Sequence, residues 1–247
     1  MKRIIVVAAA IAALSGCDKS KDASASQAGE LGRGTFTYVC GTGADAQCND
    51  NSDLALVDPA TNFPPIALGA TFSSSFKVND AQDPSAVMSA VPDMLDSETV
   101  PKYLIAKKVG WVALLGMESA GGTRVSDLIH AKVEPLDHLE VAQSAPTGGG
   151  GADFKGKVTA PGIDVTITGS TPSTPVTQMF RVVPMTKDRK LLAGALPCQW
   201  TTSNEAVARI TTDAGQNIIT VELKPGDATL KAALGGLTVD VKVKVGS

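Results

Sequence analysis

The stretch Gly226-Asp227-Ala228-Thr229-Leu230-Lys231-Ala232-Ala233-Leu234-Gly235-Gly236-Leu237-Thr238-Val239-Asp240-Val241-Lys242-Val243-Lys244-Val245 decides the fold. Val239, Val241, Val243 and Val245 alternate with Asp240, Lys242 and Lys244, so a strand through them has one apolar face and one charged face. Ala228, Leu230, Ala232 and Leu234 line one side of the segment before it. Gly235-Gly236 joins the two with adjacent positions free to take positive φ, as a two-residue hairpin requires. The pattern predicts an antiparallel pair with one buried face.

The same order is written earlier in the chain. Gly110-Trp111-Val112-Ala113-Leu114-Leu115 precedes Gly121-Gly122, and Val125 to Val133 follows. Upstream, Gly69-Ala70-Thr71-Phe72-Ser73 answers Gly169-Ser170-Thr171-Pro172-Ser173, and Ser97-Glu98-Thr99-Val100 answers Ser203-Asn204-Glu205-Ala206-Val207. Matches in one order predict two diverged copies of a single unit. From Gly34 onward short alternating segments are broken by Gly, Pro, Asn and Asp with no long helical pattern, which predicts an all-β chain.

The second copy also resembles a known family. Trp200-Thr201-Thr202-Ser203-Asn204-Glu205-Ala206-Val207-Ala208-Arg209-Ile210, then Lys224-Pro225-Gly226-Asp227-Ala228-Thr229-Leu230, then the strand Val239 to Val245, is similar to the bacterial immunoglobulin-like domain, group 2. The resemblance implies an Ig-like β-sandwich, in agreement with the short strands and turn spacing. The fold expected is therefore all-β, with two tandem Ig-like β-sandwich domains over residues 31–133 and 134–247. The boundary falls near Val133 because Leu136, Leu139 and Val141 can open the second unit, leaving the glycine run 148–151 as a loop inside it. In the first copy the Trp-Ser-Ser counterpart is missing around Met94 to Val100, and its assignment rests on order alone.

The amino terminus carries a different message. Lys2 and Arg3, the apolar run Ile4 to Leu14, and Leu14-Ser15-Gly16-Cys17 read as an export signal ending in a lipobox. The run is shorter than the roughly 20 apolar residues needed to span a bilayer, as is Val109 to Met117. This segment resembles the leaders of bacterial lipoproteins, which implies a signal peptide over 1–16, cleavage before Cys17, acylation of Cys17, and a mature chain held to an inner or outer membrane of the cell envelope by lipid. In lipoproteins that it resembles, an acidic residue at the position of Asp18 favours the inner membrane. Residues 17–30, polar and small with no periodic apolar pattern, are expected to form a flexible tether.

Charge and composition narrow the partners. With 22 basic against 25 acidic residues the net charge is −3, and no basic cluster appears, which argues against nucleic acid. Aromatics make up 4% of the chain, which weakens a sugar-binding reading, since such surfaces usually rely on several exposed aromatic faces. Outside the cytoplasm thiols tend to be oxidised, so Cys40 and Cys48, flanking a polar loop, are expected to form a disulfide; thiolate metal ligation would need further ligands nearby. Cys198 is left over, a small buried residue beside Trp200 or an intermolecular partner.

No catalytic motif stands out. His130 and His138 are the only histidines, flanked by Asp127, Glu134, Asp137 and Glu140, so a metal site is conceivable. Alternation across 125–133 places His130 with Leu128 and Lys132 on a wet face instead. Asp45, Asn49, Asp50, Asn51 and Asp53 offer oxygen ligands for calcium, yet the EF-hand spacing is absent and turn chemistry accounts for them. Gly41-Thr42-Gly43-Ala44-Asp45-Ala46 opens no helix, so it is not read as a dinucleotide loop. The expectation is a non-catalytic, membrane-anchored envelope lipoprotein without cofactor or metal, serving as a binding, spacer or adhesion module, with a protein partner met through Ig-like loops or edge strands. The alternatives are a metal-dependent ligand-binding protein or enzyme using His130, His138 and nearby carboxylates, and an accessory subunit of an envelope complex.

Overall fold

The computed structural model describes residues 26–39, 44–46, 48, 63–78, 85–97, 103–120, 122–146, 154, 157 and 159–246. Among them the chain is all-β, with no helix. The strands are β1 (Ser26–Ala28), β2 (Thr35–Val39), β3 (Ile66–Ala67), β4 (Thr71–Lys77), β5 (Ser85–Ser89), β6 (Leu95–Asp96), β7 (Leu104–Ala106), β8 (Gly110–Ala120), β9 (Thr123–Glu134), β10 (His138–Ser144), β11 (Ile163–Ile167), β12 (Val176–Met185), β13 (Cys198–Thr202), β14 (Ala208–Ile210), β15 (Ile218–Leu223), β16 (Gly226–Leu234) and β17 (Leu237–Val245).

The closing hairpin folds as its alternation predicts. Leu234 pairs with Leu237 across Gly235 and Gly236, whose φ angles are 58° and 88°. Val239, Val241, Val243 and Val245 are buried with Ala228, Leu230, Ala232 and Leu234, while Asp240, Lys242 and Lys244 face water. This pair sits in a sheet of order β11-β17-β16-β13, and a second sheet, β10-β12-β15-β14, packs over it to form a sandwich. Trp200 of β13 is buried in that core and donates its indole N–H to the Gln216 carbonyl at 3.1 Å. Truncating such a side chain costs about 3–5 kcal/mol.

Residues before 135 repeat this architecture strand for strand. One layer runs β2-β4-β7-β6 and the other β3-β9-β8-β5, the same orders as β10-β12-β15-β14 and β11-β17-β16-β13. Both β3 and β11 lie parallel to the last strand of their own unit. Gly110 (φ 138°) pairs with Val133 as Gly226 (φ 135°) pairs with Val245. Beneath these glycines lie Met94 and Val207, whose carbonyls accept the N–H of Lys107 at 2.7 Å and of Lys224 at 2.8 Å.

The third sequence match needs correction. The counterpart of the turn at Asn204–Val207 is Val91–Met94, and not Ser97–Val100. Val91 N–H donates to Ser89 Oγ at 3.1 Å, as Asn204 N–H does to Thr202 Oγ1 at 3.3 Å. The backbone pattern and the side chain under the glycine persist where the residue types do not.

Two features belong to the first sandwich alone. β5 also pairs with β4 through Ser85–Phe76 and Ala86–Ser75, joining its two layers at one corner. Ser26–Ala28, expected within the flexible tether, is instead a strand that covers the edge of β2. An exposed edge strand needs no buried face and so leaves no apolar signature. The turn after β1 is held by Asp127 of β9, buried, whose carboxylate accepts the N–H groups of Leu31 at 2.8 Å, Arg33 at 2.7 Å and Gly34 at 3.2 Å. Burial opposes that charge, but these donors and the N–H of Leu128 outweigh it and hold the carboxyl below its ordinary range.

Candidate functional site

The junction between the sandwiches is built from a segment of the second that enters the first. Leu191–Leu196 follows β12, and its backbone bonds to Pro65, to Ala67 of β3 and to Thr71 at the start of β4. Ala67 N–H donates to the Ala193 carbonyl at 2.9 Å and Ala193 N–H to the Pro65 carbonyl at 2.8 Å, while Thr71 and Ala195 exchange bonds of 3.0 and 2.7 Å. Gly194 (φ 100°) turns the segment between them, and a Cβ there would lie 2.5 Å from the Cβ of Ala70.

A buried carboxylate closes the junction. Asp45 accepts the Tyr38 hydroxyl at 2.6 Å and the Gly194 N–H at 3.1 Å, and both Asp45 and Tyr38 are wholly buried. Burial, then the Asp45 charge, pushes the Tyr38 phenol well above its ordinary range, so the hydroxyl keeps its proton and donates it. Apolar side chains from both sandwiches form one connected core.

The turn that leads into this segment is fastened separately. Arg189 is the one non-glycine residue at positive φ among the described residues, at 58°. Its guanidinium meets the buried Glu140 side on, Nε to Oε1 at 2.7 Å and Nη2 to Oε2 at 3.0 Å, with Nη2 also on the Thr159 carbonyl at 3.2 Å. The Thr159 hydroxyl donates to the same carboxylate. His138 lies between Asp137 (Nδ1, 2.8 Å) and Glu140 (Nε2, 3.2 Å). Burial works against both charges, but the bonds from Arg189, Thr159 and His138 hold Glu140 below its ordinary value, and those to Asp137 and Glu140 hold His138 above its own. With both ring nitrogens facing carboxylates, the imidazolium form is the one this setting favours.

Beside this cluster an open groove of about 850 Å³ is lined by Asp137, His138, Asp164, Lys231, Asp240 and Lys242. Its alternating charges offer hydrogen bonds to a polar ligand. The Thr159 hydroxyl beside Glu140 is already engaged.

The structure does not bring His130 and His138 together. His130 is exposed on β9, as its alternation predicts, and its Nδ1 meets Glu30 at 2.6 Å. Among the described residues no group of three or more His, Cys, Asp or Glu is arranged to hold a metal ion. Asp45 is buried, with its carboxylate on Tyr38 and Gly194, while Asn49, Asp50, Asn51 and Asp53 lie outside the described residues, as do Gly41 to Gly43. Cys17 and Cys40 are likewise outside them, so the Cys40–Cys48 pairing stands as a proposal. Cys198 is a free thiol, half-buried, bonded through Sγ to the Gln216 carbonyl at 3.3 Å and pushed up to about 12 by burial and then by the Asp213 charge. Among the described residues no helix is long and apolar enough to cross a membrane.

No protein-family model and no curated protein matches the chain. Among solved structures it is similar to domains 4 and 5 of the S-layer protein SbsC, at 14% identity and a TM-score of 0.31, covering 75% of this chain and 97% of that one. It is similar to the endo-fucoidan hydrolase MfFcnA4 of glycoside hydrolase family 107, at 12% and 0.35, over 83% of this chain and 29% of the hydrolase. Fibronectin(III)-like modules of Clostridium thermocellum CbhA match at 14% and 0.26, over 79% and 92%. Likeness at this level carries nothing about function.

Proposed function

We propose that the chain is a non-catalytic lipoprotein of the bacterial cell envelope, anchored through acylated Cys17 and presenting two immunoglobulin-like sandwiches as one stiff binding or spacer unit. The observation that supports this reading best is the junction: backbone hydrogen bonds, a buried Asp45 and a shared core tie the two copies together, as a spacer requires. Interfaces between domains of one chain are often polar and mobile, and a buried one with backbone pairing resists such motion. The lipobox supplies the anchor, and a Cys40–Cys48 disulfide fits an oxidising compartment.

The test has two parts. Alkyne-palmitate fed to expressing cells should label the wild-type protein and not a Cys17→Ser variant. Crosslinking in intact cells followed by mass spectrometry should then recover one dominant protein partner from the wild type. An unlabelled wild type would sink the anchor, and turnover of a substrate by the purified chain would sink the non-catalytic reading.

A further inference from the structure

The two copies share a fold but differ on one face. On the outward side of the β5-β8-β9 layer, Met88 pairs with Leu115 and Leu115 with Leu128. Counting from Gly110 and Gly226, the same row in the second copy is Thr201, Lys231 and Asp240. The fold does not require this face to be apolar, since its twin is polar. Trp111 stands 47% exposed in the same layer and Met88 43% exposed, while Leu31, 55% exposed, sits on the turn whose Glu30 N–H donates to the Leu128 carbonyl. An exposed apolar patch of this kind marks an interaction surface.

We infer that this face lies against the surface of the bilayer to which the chain is anchored; the inference rests on the lipid-anchor reading. Only residues 18–25 separate Cys17 from β1, and eight residues span at most about 30 Å in any conformation. They deliver the chain to β1, and the next turn carries Leu31 to the edge of the apolar row. The anchor therefore keeps this face within reach of lipid. The chemistry suits an interface. The ammonium of Lys132 lies 5.7 Å from the Trp111 ring centre, giving an apolar body with a cationic tip, and Arg124 on the same side of β9 suits anionic headgroups. Glu30 and Glu134, the acids beside this face, are bonded to His130 and Lys132.

The test uses residues 18–247, which keep every described residue, tethered by an amino-terminal hexahistidine tag to vesicles of phosphatidylethanolamine and phosphatidylglycerol containing a nickel-chelating lipid. Trp200 is 1% exposed, so a Trp111→Phe variant gives the blank. Brominated acyl chains should quench most of the Trp111 emission. A Met88→Thr, Leu115→Lys, Leu128→Asp variant, carrying the second copy's own residues, should float with the vesicles but lose that quenching. Unchanged Trp111 emission over brominated lipid overturns the proposal. So does sedimentation as a dimer without vesicles that the triple variant abolishes, since a second copy would then be the occupant. Palmitate labelling at Cys17 is read separately, so failure of the anchor and failure of the face give different results.

Discussion

Asp45 of the first sandwich accepts the backbone N–H of Gly194 in the second at 3.1 Å, inside the protein and not on its surface. The same carboxylate holds the Tyr38 hydroxyl. An Asp45→Ala substitution leaves two buried donors without this acceptor and should cost about 3 kcal/mol. Urea unfolding would read the loss. Hydrogen exchange should show the Ala193 and Ala195 amides opening first, and equal protection of both in the variant would refute the role given to Asp45.

Arg189 combines an ion pair with a left-handed backbone. An Arg189→Ala variant loses the pair and keeps the strain, whereas Arg189→Gly loses the pair and relieves it. The glycine variant should melt above the alanine variant. The reverse order would mean that the turn from Thr186 to Lys190 imposes no strain.

The Glu140 and His138 cluster sets a pH window. Glu140 is held below its ordinary value of 4.5, so its contribution is complete above that pH and is lost as pH falls through the folded value. His138 is held above its ordinary 6.5, so its contribution is complete below that pH and is lost as pH rises through the folded value. Together they contribute most between about pH 4.5 and 6.5. Melting temperature against pH should lose part of its acid limb in Glu140→Gln and part of its alkaline limb in His138→Asn.

Gly116 packs directly on Phe76, and a Cβ at this position would meet the Phe76 ring at 2.2 Å. The second copy carries buried Ala232 at the corresponding point. Gly116→Ala should destabilise by about 1–3 kcal/mol through overpacking. Combining it with Phe76→Ala should cost less than the sum of the two, measured as a double-mutant cycle.

Thiol chemistry tests the cysteine proposal. In the chain without Cys17, native protein should react slowly with a thiol reagent, because Cys198 is half-buried and raised to about 12. Denatured without reductant it should show a single thiol, and with reductant three. Three thiols without reductant would exclude the Cys40–Cys48 bond.

The features legible in the sequence are periodic and local. The valines from 239 to 245 announce their own burial, and Gly-Gly between alternating runs announces a hairpin. Burial on β9 follows the same alternation, His130 included. The Glu140–Arg189 pair gave no such sign, because partners 49 positions apart meet only through the fold. In sequence Asp45 reads as a turn residue. Tyr38 shares the buried face of Phe36, and a buried hydroxyl needs an acceptor, which was the one available clue. Ser26–Ala28 carries no periodic signal because an edge strand buries almost nothing.

The grip of Asp127 on the turn after β1 acquires a mechanical meaning if the chain is moored by its front end. A tug from the mooring loads the pairing of β1 with β2 and then reaches Leu31, Arg33 and Gly34, whose amides are all held by one carboxylate. Strain then stops at the rim of the first sandwich, and strong acid, by protonating that single group, is the condition under which it would slip inward.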